Sequence, residues 1–354
     1  LDGLARLRLA RTEGVGHVMH GRLLARHGTP EAALEALGRR AFPRDAALRE
    51  MEGLAALGAH LLFLGEEDYP PLLALLEDAP LVLAARGDLA AFGRRGVALV
   101  GARNASGTGR RFAEDLADAL AVRDICVVSG LARGIDTAAH TGALRSGTTI
   151  AAVAGGLDRP YPRENAALQE RIAAEGGLVL SEAPLGTAPL ARHFPRRNRI
   201  VAGLSLGVVV IEAALQSGTL ITARLAAEAG RELFAVPGHP LDPRSRGSND
   251  LIRRGARLTE TVEDILLHLP EAPAEAPLFR MPLLAELPEE PAEEPPPASD
   301  AAAQVIEMMG STPIAVDELG RRCQLSAPRL SALLLELEMA GRIETLPGNR
   351  VALA

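Results

Sequence analysis

The sequence predicts an α/β protein. Its centre is a doubly wound, mostly parallel sheet over residues 64–269, preceded by a helical domain at 1–63 and followed, past a linker at 270–299, by a winged-helix domain at 300–354. Three observations predict this. First, six short apolar runs punctuate the middle of the chain: "VALVG" (97–101), "ICVVSG" (125–130), "TIAAVAGG" (149–156), "LVLSE" (178–182), "GVVVIEA" (207–213) and "LFAVPG" (233–238). They are apolar on both faces and rich in β-branched residues, as strands covered by helices on both sides must be. Second, the segments between them, such as "GRRFAEDLADALAV" and "RENAALQERIAAEG", have helical spacing, and strand–helix alternation marks a doubly wound sheet. Third, 270–299 is rich in Pro and Glu. Missing amide donors and like-charge repulsion oppose helix and sheet there, so it reads as an extended linker.

In chain order, residues 1–63 read as helices. Gly14-Val15-Gly16 forms a tight turn before one helix, and a second begins near Thr29-Pro30, with Thr as cap and Pro in the first turn. This is a helix-hairpin-helix-like (or SAM-like) pattern, read either as a small packing domain or as a hairpin offering backbone amides to DNA phosphates. "APLVLAARGDL" (79–89) adds an edge strand to the sheet. Inside the linker, the apolar island "LFRMPLLAEL" is long enough to dock. The tail gives three helices and a hairpin around Pro347-Gly348-Asn349, the winged-helix order. Its third helix sets Arg329 beside Glu336 and Glu338. A groove-reading winged helix is basic there, which favours a protein-contact or accessory role.

Composition narrows the function. With 354 residues, two or three domains of about 100–200 residues fit. Apolar residues make up 47% but aromatics only 3%, so the core is Leu, Val, Ile and Ala. All 38 basic residues are Arg. A Walker phosphate loop and Schiff-base chemistry both need Lys, so both are excluded. Cys126 and Cys323 stand far apart with no CxxC spacing. No structural zinc, no other metal and no cofactor are expected, and a reducing cytoplasm fits. The opening "LDGLARLRLARTEG" lacks a long apolar core and no run of about 18 apolar residues occurs, so neither signal peptide nor membrane span is expected. The net charge of −7 argues superficially against a nucleic-acid partner, but residues 270–300 alone carry eight acids and one Arg. The remainder is near neutral and free to separate its charge into patches.

Ligands of doubly wound sheets bind beyond the C-terminal ends of the strands. After the first run, "GARNASGTG" (101–109) enters a helix and offers Gly101, Arg103 and Asn104. Its amides and helix N-terminus suit a phosphate. Arg at position 103 breaks the GxGxxG pattern, favouring a phosphate gripped by Arg over a dinucleotide pyrophosphate. After the second, "SGLARGIDTAAHTGAL" (129–144) is either a tight turn, freed by Gly130 and Gly134 and capped by Asp136 or Thr137, or a phosphate site using Ser129, the loop amides and Arg133. His140 reads as structural. After the third, Arg159 and Arg163 flank Tyr161, which either stacks on a base or stiffens the loop with Pro162.

After the fourth comes "HFPRRNRIVAGLS" (193–205). No acid occurs between Glu182 and Glu212, while Arg192, Arg196, Arg197 and Arg199 all do. A solvated face mixes signs, so an unbroken positive loop points to an anionic partner. Phe194 stacks on a base or anchors the loop; Asn198 or Arg199 ties it to neighbouring carbonyls. After the fifth, Ser217, Gly218 and Thr219 form a second phosphate-friendly helix start, and Glu212 either bonds a sugar hydroxyl or braces an Arg. Four loops at one edge thus deliver Arg- and Gly-based anion sites with little to cleave anything. The match is a row of phosphates, bound with strong salt dependence and little sequence preference.

Together, "VALVGARNASGTG", "VVSGLARGIDTAAHTGAL", "GLDRPYPRENAAL", "SEAPLGTAPLARHFPRRNRIVAGLS" and "EAALQSGTLITARLAAEAGRELFAVPGHPLDPRSRG" resemble, in order and spacing, the signature blocks of the DNA-processing protein A (DprA/Smf) family. The resemblance covers about residues 80–270 densely. It implies an extended Rossmann-like core that binds single-stranded DNA, dimerises, and loads RecA onto incoming strands during natural transformation, with no catalytic residue. It carries the family's basic pocket positions to Arg103 and Arg163 and includes the "FPRRNRI" arginines. It places a homodimer edge at "SNDLIRRGARL", with Leu251, Ile252 and Leu258 as candidates. His239 departs from the Ser that many relatives have in that turn.

Two other readings compete. The sheet also resembles that of phosphoribohydrolases, whose Pro-Gly-Gly-x-Gly-Thr-x-x-Glu motif supplies a catalytic Glu. Here Gly218 and Thr219 are present, but the Pro-Gly-Gly is missing and Thr222 stands where the Glu would be. A winged-helix transcription factor is opposed by the tail's net −1 over 301–354.

Overall fold

The computed structural model describes residues 2–271 together with 314–316, 319, 330, 333, 334, 337, 342–346 and 350–353. The chain divides into two compact units, Leu1–Met281 and Pro282–Ala354.

Four helices open the first unit: α1 (Asp2–Arg11), α2 (His17–His27), α3 (Pro30–Leu37) and α4 (Arg44–Ala56). The Thr29 side chain accepts the Ala32 amide at 3.2 Å and so caps α3, with Pro30 in its first turn. Arg11 holds α1 to α4 through Glu50 at 2.7 Å and reaches the carbonyl of Glu182 at 2.7 Å, fixing the helices to the sheet.

The helical pattern stops short of residue 63. "AHLLF" is β1 (Ala59–Phe63), antiparallel to β2 (Val82–Gly87). The expected edge strand therefore lies one place inward, and β1 takes the edge. The burial of Val82, Leu83, Ala84 and Ala85 fits an interior strand, covered on both faces. Five residues after a helix are too few to show a period of two, which is why β1 was not legible as a strand.

After α5 (Pro71–Ala74) the alternation runs as the sequence predicts: β3 (Gly96–Gly101), α6 (Gly107–Ala121), β4 (Cys126–Ser129), α7 (Ile135–Ala143), β5 (Thr149–Val153), α8 (Ala166–Ala174), β6 (Leu178–Ser181), α9 (His193–Gly203), β7 (Gly207–Ile211), α10 (Gly218–Glu228), β8 (Glu232–Ala235), α11 (Arg246–Arg253), β9 (Arg257–Leu258) and α12 (Val262–Leu266). The sheet order is β1-β2-β6-β5-β4-β3-β7-β8-β9, parallel from β6 through to β9 and antiparallel at β1–β2 and β2–β6. The side-chain period of two sends Val97 and Leu99 to a layer with α6, α7 and α12, and Ala98 and Val100 to one with α9, α10 and α11. From β3 the chain winds outward through β4, β5 and β6, then returns to place β7 on the other side of β3. That reversal opens a crevice at the C-terminal ends of β3 and β7.

In the second unit, β10 (Ile314–Ala315), β11 (Ile343–Leu346) and β12 (Arg350–Leu353) make an antiparallel sheet in the order β10-β12-β11. Leu319, Leu330, Leu333, Leu334 and Leu337 cluster with Ile343 and Val351. The 347–349 turn, the residues Cys323, Arg329, Glu336 and Glu338, and the apolar island at 278–287 lie outside the described residues. Among the described residues, no helix is long and apolar enough to cross a membrane.

Candidate nucleic-acid interface

A cavity of about 780 Å³ occupies the crevice, walled by the segments after β3, β4 and β7 and by the first turns of α9 and α10. Gly101 ends β3 because nothing larger fits: a Cβ there would lie 1.9 Å from the carbonyl oxygen of Ile211. Arg103 and Asn104 follow it, exposed, on the cavity wall. The Arg103 guanidinium lies over the Phe194 ring, 4.7 Å from its centroid. Tyr161 meets that ring edge-on at 5.8 Å and is 48% exposed. Asn198 reaches the carbonyl of Gly218 at 3.5 Å across the mouth, so it does tie α9 to its neighbour.

Beneath them sits a buried ion pair. "FPRRNRI" is a helical segment of α9 rather than a loop, so its arginines part company. Arg197 points inward, 6% exposed, with Nη1 3.7 Å from the Asp136 carboxylate. Asp136 also accepts the Gly130 and Ala132 amides at 3.1 and 3.3 Å, so it shapes the β4–α7 turn from inside. Gly130 leaves room for the guanidinium: a Cβ there would lie 1.2 Å from Arg197 Nη1. Burial pushes the Asp136 carboxyl up and the Arg197 guanidinium down, and each partner holds the other charged against that. Among the described residues, the buried Arg197 Nε has no hydrogen-bond partner.

Several expected anion ligands are engaged by protein partners or lie away from the crevice. Ser129 is fully buried, its hydroxyl donating to the Leu99 carbonyl at 2.6 Å, so it offers a phosphate nothing. Arg133 makes a two-pronged contact with Glu164 (2.9 Å for Nη2) outside the main cavity. Glu212 accepts the Ser106 amide at 2.8 Å and the Ser106 hydroxyl, bracing the start of α6. Arg199 is buried on Glu182 at 2.6 Å and on the Asp78 carbonyl, the tie expected of this stretch. Arg196 is 70% exposed and faces a different cavity. Arg159 and Arg163 are exposed but do not line the crevice, so Arg163 does not join Arg103 and Arg197 there. His140 is structural as expected, its Nδ1 2.7 Å from the Thr149 hydroxyl, and burial pushes its pKa down to about 3.

Ser217 caps α10 at the Thr219 amide (3.2 Å), and Thr219 donates to the Gly101 carbonyl at 3.1 Å, which locks two walls together beside the exposed Gly218. Two wall residues were missed from sequence. Asp136 was legible as an acid in a Gly-rich turn, but only as a cap. Arg244 lies in the loop after β8 and lines the crevice while paired with Asp242 at 2.8 Å. At the proposed dimer edge, Leu251 is 3% exposed and packs into the core, Ile252 is partly buried against it, and Leu258 on β9 is 48% exposed. Leu251 therefore anchors α11 rather than facing outward.

The comparisons agree with this architecture. Residues 60–270 match the model of the DNA recombination-mediator protein A family, 2–52 a DprA-like N-terminal HHH domain and 289–349 a DprA winged-helix domain. Protein Smf of Escherichia coli is 39% identical over 323 residues, covering 88% of this chain and 82% of that protein. The DNA processing protein DprA of Streptococcus pneumoniae is 46% identical over 202 residues, covering 57% of this chain and 71% of that protein. An X-ray structure of the S. pneumoniae protein superposes with TM-score 0.64 at 35% identity, covering 75% of this chain and 96% of that one. The Helicobacter pylori protein, whose structure is described for its single-stranded DNA binding mode, gives TM-score 0.54 at 32% identity, covering 59% of this chain and 94% of that one.

Proposed function

Because the chain belongs to the DNA recombination-mediator protein A family, we propose that it binds single-stranded DNA in the crevice at the β3–β7 switch point and holds the strand without cleaving it. One observation carries the reading: Arg103 is an exposed cation with an aromatic ring as its neighbour and, among the described residues, no carboxylate within ion-pair distance. A base that stacks on Phe194 takes the guanidinium's place, and Arg103 is released to a phosphate. Tyr161 gives the stack a second aromatic edge. Bases accepted by stacking, and phosphates accepted by charge, imply little sequence preference. Duplex hides its bases and loses the stacking term. Among the described residues, Asp136 is the one carboxylate on the cavity wall, and Arg197 engages it, which suits a holding site. The relative from H. pylori supports the ligand class.

The family also carries the proposals that the protein acts in the cytoplasm as a homodimer through the β9 edge and passes its strand to RecA. The test of the central reading is a fluorescence-anisotropy titration of oligo-dT and of matched duplex across a salt series. Single strand binds more tightly, with log K falling by about 0.7 per phosphate contact for each decade of salt. Equal affinity for duplex would refute the stacking crevice. RecA filament formation on strands coated with single-strand-binding protein, with and without this protein, tests the hand-over.

A further inference from the structure

A strand held in the crevice has to leave it, and the molecule offers two ways out. One crosses Pro195 and Ile221 into a cavity of about 600 Å³ beside the N-terminal helices. Five arginines and two acids, Asp78 and Glu182, line it, but each arginine already lies within 4 Å of a carboxylate: Arg11 of Glu50, Arg196 and Arg199 of Glu182, Arg197 of Asp136 and Arg224 of Glu228. The other exit passes Arg103, which lines both the crevice and a groove of about 610 Å³ between α6 and α7. That groove holds four arginines, Arg103, Arg110, Arg111 and Arg133. Its two acids are already matched: Glu164 to Arg133, and Glu114 to Arg145. Arg110 and Arg111 are exposed, and among the described residues no carboxylate pairs with either of them or with Arg103. Three uncompensated cations in line with the crevice form a track for anions. The arginines of the first exit are instead all engaged by carboxylates, which leaves a phosphate entering it less to bind.

We propose that a single strand bound in the crevice continues past Arg103 along the α6–α7 groove, with its phosphates on Arg110 and Arg111. This rests on the crevice reading above and extends it. The groove has no aromatic side chain among its lining residues, so it reads the backbone alone. Strand length, rather than base identity, then sets how much of it is used.

The test is Arg110→Ala combined with Arg111→Ala, with Arg224→Ala as the marker of the other exit. Each is titrated with oligo-dT of about 6 and about 30 nucleotides, lengths that bracket a single site. Both variants lose only exposed side chains, and thermal melts confirm the fold. The expected result is that the double variant binds the short oligonucleotide as the wild type does. It binds the long one at least about tenfold more weakly at low salt, with the salt slope reduced by about 1.4. Wild-type affinity of the double variant for the long strand overturns the proposal, as does a loss confined to Arg224→Ala. If the wild type binds neither length, the crevice reading itself fails and takes this extension with it.

Discussion

At the scale of single residues, Arg103 and Arg197 look alike in sequence and do opposite work. Arg103 is exposed and, among the described residues, has no carboxylate partner, so Arg103→Ala leaves the fold unchanged and weakens oligo-dT binding by about 10- to 100-fold, the worth of one or two charge-assisted contacts. Arg197→Ala instead strands the buried Asp136 carboxylate, which costs about 3–5 kcal/mol of stability. Adding Asp136→Ala recovers part of that loss, and urea unfolding of the three variants checks it. His140 sets a pH dependence. Its pKa is about 3 in the fold against 6.5 for the free side chain, so between those values the unfolded chain binds more protons. Stability attributable to it is complete above pH 6.5 and falls by about 1.4 kcal/mol for each pH unit below. His140→Asn can preserve a contact to Thr149 and removes the titration. It is less stable at pH 7 yet loses less between pH 7 and pH 5, as urea midpoints at the two values show.

At the scale of elements, a helix and a turn build the site together. The first turn of α9 aims Phe194 and Arg197 at the crevice while Arg196 and Arg199 turn toward Glu182. The β4–α7 turn receives Arg197 in the space that Gly130 leaves. Gly130→Ala therefore drives the guanidinium from its seat, costing about 1–3 kcal/mol and weakening single-strand binding, as melts and anisotropy read. Gly93→Ala, whose Cβ meets nothing within 4 Å and which does not line the crevice, is the neutral control. This is also where reading the sequence stopped. The six core strands were legible because apolar, β-branched runs have no other use in an α/β chain. "HFPRRNRI" read as a positive loop, because Pro195 and a cluster of charge carry no helical period. Its division into exposed and buried arginines depends on Asp136, which is 61 positions away in sequence from Arg197. The partners of Ser129 and Glu212, Leu99 and Ser106, were illegible for the same reason: strand order brings them together, and the sequence does not show it.

At the scale of the whole molecule, the open question is what covers the far edge of the sheet. β1 is backed by α4, whereas β9 is a two-residue strand with both residues exposed. An unpaired edge is a template for another chain, and the family resemblance pointed to this segment, with three apolar residues as candidates. Only Leu258 faces outward; Leu251 secures α11 to the core, and substituting it would report on folding rather than on assembly. Leu258→Glu is therefore the informative change. Being exposed, it alters stability by no more than about 0.5 kcal/mol. In the proposed homodimer it places a charge where the second copy sits, and light scattering then reads a monomer where the wild type gives the proposed dimer. Two crevices on one particle raise the effective concentration of the second site for a strand long enough to reach both. The variant accordingly keeps wild-type affinity for a short oligonucleotide and loses affinity for a long one. A Leu258→Glu protein that remains dimeric would move the interface elsewhere, and a monomer with unchanged long-strand affinity would show that the two crevices act alone.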